Sequence, residues 1–154
     1  MKKEKLQILL IEDNPGDIAL IEDYLSEYLD ISGLAIAKNF KEASVYLNSP
    51  NANYDVILLD LSLPDKSGEE LIKEVLSIGL TNPTIVLTGN SDLGFGIRSL
   101  SMGISDYLLK DDINPSSLYK SIIYTIERQR SRTELEESEK RYSELFHQIG
   151  RAHV

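Results

Sequence analysis

Short apolar runs alternate with amphipathic stretches along the first 126 residues. The runs predict five buried strands: Leu6–Ile11, Leu34–Ala37, Val56–Leu59, Thr84–Thr88 and Asp106–Leu109. Between the strands apolar residues recur at helical spacing, as at Ile18, Ile21 and Leu25. Strands that alternate with helices indicate βαβ units, which require a parallel sheet covered on both faces. The predicted fold class is therefore α/β, a doubly wound sheet of five parallel strands flanked by five helices.

Capping residues, prolines and glycines set the expected helix limits. The helices are predicted to begin at Asn14-Pro15, at Asn39, before Leu71, at Ser91 or Asp92, and at Asn114-Pro115. The first four are predicted to end near Leu29, Leu47, Gly79 and Met102. Asp17 lies in the first turn of the first helix, where an acid interacts favourably with the helix dipole.

The pattern changes after Ile126. Residues 127–134 include no apolar side chain, but they also include no Gly or Pro that would stop a helix. Apolar residues then resume at Leu135, Tyr142, Leu145, Phe146 and Ile149. This spacing is typical of an amphipathic or coiled-coil helix. We therefore expect a domain over residues 5–126, a helical linker or coiled coil over 127–149 and an unstructured tail over 150–154.

Composition and charge exclude several classes of protein. The 154 residues include 16 basic and 25 acidic side chains, a net charge of −9, which disfavours nucleic acids and anionic membranes as partners. Without a long apolar run, neither a membrane span nor a secretion signal is expected. The absence of Cys excludes disulfides and thiol chemistry and fits a reducing cytoplasm, the predicted location.

Polar side chains follow four of the five predicted strands. They are Glu12 and Asp13, Asp60, Thr88, and Lys110. Because ligands of such sheets bind beyond the carboxyl ends of the strands, these groups are expected to converge. Crowded carboxylates repel one another, and a hard divalent cation such as Mg²⁺ relieves that repulsion. Thr88 and Lys110 suit phosphoryl oxygens, and Asp60 is a possible nucleophile. The inferred reaction is formation and hydrolysis of an aspartyl phosphate.

Five motifs, in this order, resemble the receiver domain of two-component response regulators. They are Glu12-Asp13, Asp60, Leu63-Pro64-Asp65 with Gly68, Thr88-Gly89, and Asp106-Tyr107-Leu108-Leu109-Lys110. The resemblance covers about residues 5–126 and implies a flavodoxin-like sheet with strand order 2-1-3-4-5. It also implies a regulatory phosphoacceptor domain, which catalyses only its own phosphorylation and dephosphorylation.

The resemblance assigns a role to each site residue. Asp60 is the implied phosphoacceptor, while Thr88 and Lys110 bind the phosphoryl oxygens. Glu12, Asp13 and Asp60 are the implied side-chain ligands of Mg²⁺, together with the backbone carbonyl of Ser62. Thr88 and Tyr107 are the implied switch residues, since Tyr107 matches the aromatic side chain that rotates on phosphorylation. A phosphate carries new negative charge and acceptors that can draw Thr88 and Lys110 inward.

Expected partners follow from the same resemblance. A histidine kinase or phosphotransfer protein would donate the phosphoryl group, and the surface of the fourth helix, fifth strand and fifth helix would control a downstream output. Residues 135–146 resemble the helical lead-in of PAS domains, so that output is expected to include one. A homodimer through this surface or through the last helix is a further expectation.

One departure from the family concerns the residue after Lys110. Many receivers have Pro there, joined by a cis bond, whereas this chain has Asp111-Asp112. A cis bond before a non-proline residue costs about 2.5–4 kcal/mol. A trans bond with a rearranged loop is therefore left open by the sequence.

Two other functions are alternatives to the receiver. A pseudo-receiver scaffold that works without phosphorylation conflicts with the intact set of five site residues. A Mg²⁺-dependent phosphatase or phosphotransferase with an Asp nucleophile typically has a second acid two residues later, where this chain has Ser62. Dinucleotide binding fails because no G-x-G-x-x-G turn follows the first strand.

Overall fold

A five-stranded parallel sheet forms the centre of the protein. The computed structural model describes residues 2–79, 82–89 and 93–152. The strands of the sheet are β1 (Ile8–Ile11), β2 (Leu34–Ala37), β3 (Val56–Asp60), β4 (Thr84–Thr88) and β5 (Asp106–Leu109). Their spatial order is β2-β1-β3-β4-β5, and every neighbouring pair is parallel. The predicted fold class and strand order are confirmed.

Five helices connect and cover these strands. They are α1 (Pro15–Ser26), α2 (Phe40–Asn48), α3 (Gly68–Ile78), α4 (Leu93–Met102) and α5 (Pro115–Ala152). The Asn14 side chain accepts a hydrogen bond from the Asp17 amide at 3.1 Å, and the Asn39 side chain accepts one from the Glu42 amide at 2.8 Å. Both predicted caps are therefore confirmed, whereas the cap expected at Ser91 or Asp92 lies outside the described residues.

The sheet is buried on both faces because its side chains alternate between two apolar clusters. One cluster joins Leu9 and Ile11 of β1 to the inner sides of α2 and α3. The other joins Ile8 and Leu10 to the inner sides of α1 and α5. All four of these β1 side chains are almost fully removed from solvent. The apolar interior of the strands therefore directs polar function to their ends.

The first helix is shorter than the predicted one. It ends at Ser26, and Leu29 instead opens a two-residue strand, Leu29–Asp30, that pairs in parallel with Glu4–Lys5. Leu29 is 2% exposed, so it is buried as the helical pattern required, but in a different backbone conformation. Burial at helical spacing does not by itself fix where a helix ends.

The last helix continues without interruption from the domain into the extension. It spans 38 residues, which covers the predicted helical segment 127–149. The tail that was predicted to be unstructured from residue 150 is instead helical through Ala152, since a single Gly in a helix costs only about 1 kcal/mol. The side chains from 130 to 148 are exposed. Within the described ranges, no helix is both long and apolar enough to cross a membrane.

Candidate functional site

Three carboxylates meet at the carboxyl edge of the sheet. Glu12 directly follows β1, where its amide donates a hydrogen bond to the Ala37 carbonyl at 2.9 Å, and Asp60 is the last residue of β3. One carboxylate oxygen from each of Glu12, Asp13 and Asp60 lies within 4.8 Å of the other two. Glu12 is 1% exposed and Asp60 4%, while Asp13 is more open to solvent. The three acids predicted to meet are thus brought together.

Lys110 brings a positive charge into this acidic group. Its amide donates to the Thr88 carbonyl at 2.8 Å, which fixes its backbone beside the end of β4. Its Nζ lies 3.0 Å from Glu12 Oε2 and 3.1 Å from Asp60 Oδ1. A third carboxylate oxygen, Oδ2 of Asp17, lies 3.0 Å from the same Nζ. The ammonium therefore joins the ends of β1, β3 and β5 to the first turn of α1.

Burial and charge shift the pKa values of this pair. Burial raises the pKa of Glu12; the hydrogen bond from Lys110 opposes that rise, and the nearby charge of Asp60 adds to it. Burial lowers the pKa of Lys110, but hydrogen bonds to Asp17 and Glu12 and the charge of Asp60 outweigh it and leave that pKa well above its ordinary value. Lys110 is therefore a permanent cation at neutral pH.

Thr88 and Ser62 are the other two residues predicted to belong to the site. Thr88 is the last residue of β4, between β3 and β5 in the sheet, and is 4% exposed. Ser62 lies in the loop after β3, where it forms an isolated antiparallel bridge with Ser67. Gly68 ends this loop with a φ of +63°, in the left-handed region that favours glycine. Both residues thus lie near the end of the strand that carries Asp60.

Tyr107 is the half-buried aromatic residue of β5. Its ring packs against α4, where a Cβ added to Gly96 would lie 3.2 Å from the ring carbon Cδ1. Phe95 approaches the same ring edge-on, with centroids 6.2 Å apart and planes at 61°. The ring is therefore closely enclosed on its α4 side. Its position, three residues before Lys110, is that predicted for the switch aromatic.

The peptide bond after Lys110 could be cis or trans from the sequence alone, because Asp111 and not proline follows it. The Lys110–Asp111 peptide bond is trans. A turn follows in which the Asp112 amide donates to the Leu109 carbonyl at 3.0 Å. Lys110 therefore reaches Glu12 and Asp60 without the cis bond that the family often uses.

Asp17 is the site residue that sequence reasoning missed. Its position in the first turn of α1 was assigned only to the helix dipole, but the carboxylate contacts Lys110 at 3.0 Å. Contact between residues 93 positions apart in sequence is not visible in local periodicity. The available signal was that α1 begins immediately after the acidic pair, so that its first turn lies beside the strand ends.

The chain belongs to the response regulator receiver domain family. The family model matches residues 8–123, the stretch that includes all five strands of the sheet and every site residue described above. The resemblance identified from the five motifs is thus confirmed.

Individual relatives agree with this assignment. The chain is 31% identical over 105 residues to the transcriptional regulatory protein CiaR of Streptococcus pneumoniae, which covers 68% of this chain and 45% of CiaR. The chain therefore matches less than half the length of that relative. A CheY-like receiver domain from Methanospirillum hungatei shares the fold with a TM-score of 0.69 at 23% identity, covering 85% of this chain and 99% of that one.

A second solved structure shows the same fold with a bound metal. It is the receiver domain of a sensor histidine kinase from Pseudomonas aeruginosa, which holds a magnesium ion in its active-site cleft. The TM-score is 0.65 at 27% identity, and the match covers 81% of this chain and 98% of the other. The chain is thus a receiver domain, and its three grouped carboxylates lie at the carboxyl edge of the sheet.

Proposed function

We propose that the protein is a phosphorylation switch in two-component signalling and that Asp60 is its phosphoacceptor. The observation that carries the proposal is the position of the Asp60 carboxylate, which is grouped with Glu12 and Asp13 and lies 3.1 Å from the Lys110 ammonium. A nucleophile that belongs to a cation-binding cluster and also contacts a fixed positive charge suits phosphoryl transfer, which depends mainly on positioning and charge neutralisation.

The acidic cluster fits Mg²⁺. Glu12, Asp13 and Asp60 offer three hard carboxylate oxygens within 4.8 Å of one another, and the remaining positions suit the Ser62 carbonyl and water. Bound Mg²⁺ would neutralise negative charge on the phosphoryl oxygens. The magnesium in the related receiver domain from Pseudomonas aeruginosa supports this choice of ion.

The transfer step uses groups that the site already holds. An Asp60 Oδ atom attacks the phosphorus of a phosphohistidine on a histidine kinase or phosphotransfer protein, so that an O–P bond forms as the P–N bond breaks. The imidazole nitrogen leaves with the P–N electron pair, and one proton, carried on the ring or taken up from solvent, leaves the histidine side chain neutral. The Lys110 ammonium and the Thr88 hydroxyl donate hydrogen bonds to the phosphoryl oxygens. Attack by water on phosphorus later restores the Asp60 carboxylate and releases inorganic phosphate.

The signal leaves the site through Thr88 and Tyr107. When Thr88 and Lys110 move toward the phosphoryl group, the packing around Tyr107 changes, because Lys110 directly follows β5, the strand that carries Tyr107. The surface of α4, β5 and α5 is the proposed output surface. It exposes apolar side chains on two of its elements: Ile97, Leu100 and Tyr124.

The long helix connects the receiver to its output. We assign residues 5–126 to the receiver and residues 127–149 to a helical connector that pairs with a second copy of the chain. Leu135, Tyr142 and Leu145 on this connector are all more than half exposed, and a spacing of seven between two of them suits a coiled-coil seam. A downstream output domain, with PAS as the expected type, would receive the change in a cytoplasmic setting.

Treatment with acetyl phosphate and Mg²⁺, read by intact mass, tests the phosphoacceptor assignment. The wild-type chain should gain one phosphoryl group, Asp60→Asn should gain none, and Asp112→Asn should behave like the wild type. Omitting Mg²⁺ should suppress labelling of the wild-type chain. Addition that survives Asp60→Asn would contradict the assignment of Asp60 as the phosphoacceptor. No addition at all would contradict the proposal and favour a pseudo-receiver scaffold.

A further inference from the structure

The Lys110 ammonium has three carboxylate partners, and one of them differs from the other two. Glu12 and Asp60 belong to the cluster of acids that suits a cation. Within the part of the chain that the structure describes, the grouped acids are Glu12, Asp13 and Asp60, so Asp17 lies outside that group. A divalent cation on the cluster therefore competes with Lys110 for Glu12 and Asp60, but not for Asp17.

The contact with Asp17 does not draw Lys110 away from the phosphoacceptor. Nζ lies 3.0 Å from Asp17 Oδ2 and, at the same time, 3.1 Å from Asp60 Oδ1. An ammonium has three donors, so one donor can stay on Asp17 while another reaches an oxygen beside Asp60. A lysine held in this way is placed for a phosphoryl oxygen before that oxygen arrives.

The backbone of Asp17 is held at the start of α1. The Asp17 amide donates to the Asn14 side chain at 3.1 Å, and Asn14 directly follows the acidic pair Glu12 and Asp13. The Asp17 side chain is 37% exposed, so it can interact with Lys110 at modest desolvation cost. The fixed backbone of Asp17 and the partial exposure of its side chain both favour the contact with Lys110.

We propose that Asp17 is the positioning residue for Lys110 and keeps its ammonium beside Asp60 while a divalent cation occupies the acidic cluster. This inference rests on the proposed function, because it concerns the same phosphoryl site. The Asp17 side chain thereby anchors Lys110, which is followed by Asp111 through a trans peptide bond and not by a proline. Because Asp17 already restrains the Lys110 side chain, that side chain loses less conformational entropy when the phosphoryl group binds.

Chemical labelling measures directly whether the Lys110 amine stays in its contacts at the site, and it requires no phosphorylation. At saturating Mg²⁺, the acetylation rate of the Lys110 amine is followed by peptide mass after brief exposure to an activated ester. Asp17→Asn should raise that rate about fivefold, while Asp17→Glu should restore slow labelling. Asp23→Asn removes the same charge from an exposed position of the same helix and should leave the rate unchanged. An unchanged rate in Asp17→Asn would overturn the proposal.

A double-mutant cycle on phosphoryl-analogue binding tests whether Asp17 acts through Lys110. Beryllofluoride with Mg²⁺ is the probe, and its dissociation constant is measured by ¹⁹F NMR. Asp17→Asn should raise the constant about fivefold in the natural background and leave it unchanged when combined with Lys110→Met. An equal increase in both backgrounds would mean that Asp17 acts independently of Lys110, which contradicts the proposal.

The two sets of experiments fail separately. If acetyl phosphate does not label Asp60 but Asp17→Asn still releases Lys110 to the acylating reagent, the phosphoacceptor function is wrong and the positioning role stands. If acetyl phosphate phosphorylates Asp60 normally, but Lys110 is acetylated at the same rate in the wild type and in Asp17→Asn, only the positioning role is wrong. Circular dichroism of each variant confirms that it is folded before either result is used.

Discussion

Gly96 of α4 lies so close to Tyr107 of β5 that a Cβ at position 96 would come within 3.2 Å of one ring carbon and 3.3 Å of its neighbour. Such distances are shorter than ordinary van der Waals contact, so either the ring or the helix would have to move. The absence of a side chain at Gly96 therefore leaves the space that the Tyr107 ring occupies. Both residues belong to the proposed output surface of α4, β5 and α5.

A methyl group at position 96 should have opposing effects on stability. In Gly96→Ala, the gain in helix propensity of about 1 kcal/mol should be largely cancelled by displacement of the Tyr107 ring. In the background Tyr107→Ala the ring is gone, so the same substitution should stabilise by the full amount of about 1 kcal/mol. Urea unfolding of the four chains measures both differences. Equal stabilisation in the two backgrounds would show that the ring does not limit position 96.

Asp65 should contribute to stability by capping α2 from a distant loop. Its two carboxylate oxygens accept hydrogen bonds from the Phe40 amide at 2.8 Å and the Lys41 amide at 3.0 Å. Asp65→Ala should therefore lower the free energy of unfolding by about 1–2 kcal/mol, as loss of a helix cap does. Asp111→Ala, at another exposed acid, is the control and should change it by less than about 0.5 kcal/mol.

The Asp65 carboxylate should also make the free energy of unfolding depend on pH in the acidic range. The hydrogen bond from the Phe40 amide, followed by that from Lys41, holds the pKa of Asp65 below its ordinary value of 3.8. A carboxyl with a lowered pKa stabilises the folded chain above its unfolded pKa and loses that effect as the pH falls through the folded value. The stability difference between the wild type and Asp65→Asn should thus narrow below a pH of about 4. A constant difference between pH 3 and pH 7 in chemical denaturation would contradict this linkage.

The connector should set the oligomeric state. Leu135 is 59% exposed and Leu145 55%, so a second copy would bury apolar surface that one chain leaves in water. Replacing both with Gln should shift the chain toward monomer in sedimentation equilibrium. Glu136→Gln with Glu144→Gln changes neighbouring exposed positions and should leave association intact. A chain that sediments as the same monomer with and without residues 127–154 would exclude a role of this helix in pairing.

The strand ends were predictable because two independent signals coincide there. A short apolar run must be buried in a parallel sheet, and the first polar residue after it must lie at the sheet edge, as Glu12, Asp60 and Lys110 do. The order of the motifs then supplied the family and the strand order. Neither inference needed knowledge of any contact between side chains.

The features that the sequence did not predict depend on contacts between distant parts of the chain. Asp17 has the same local role at a helix start whether or not a lysine 93 residues away reaches it. The contact between Gly96 and the Tyr107 ring was not predictable either, because nothing near Gly96 along the chain indicates that ring. The pairing of Leu29–Asp30 with Glu4–Lys5 was missed for the same reason, since a strand of two residues has no periodicity.

The unbroken course of α5 gives the receiver a lever arm. About 26 residues follow Ile126 in this helix, which at about 1.5 Å per residue makes a rod of about 39 Å. Its base is fixed to β5 by the hydrogen bond of 2.6 Å from the Ser121 hydroxyl to Asp106. A tilt of only about 5° at that base would carry the far end through about 3 Å, because displacement grows with the length of a stiff helix. A side-chain rearrangement next to Tyr107 would thereby become a movement large enough for another domain to detect.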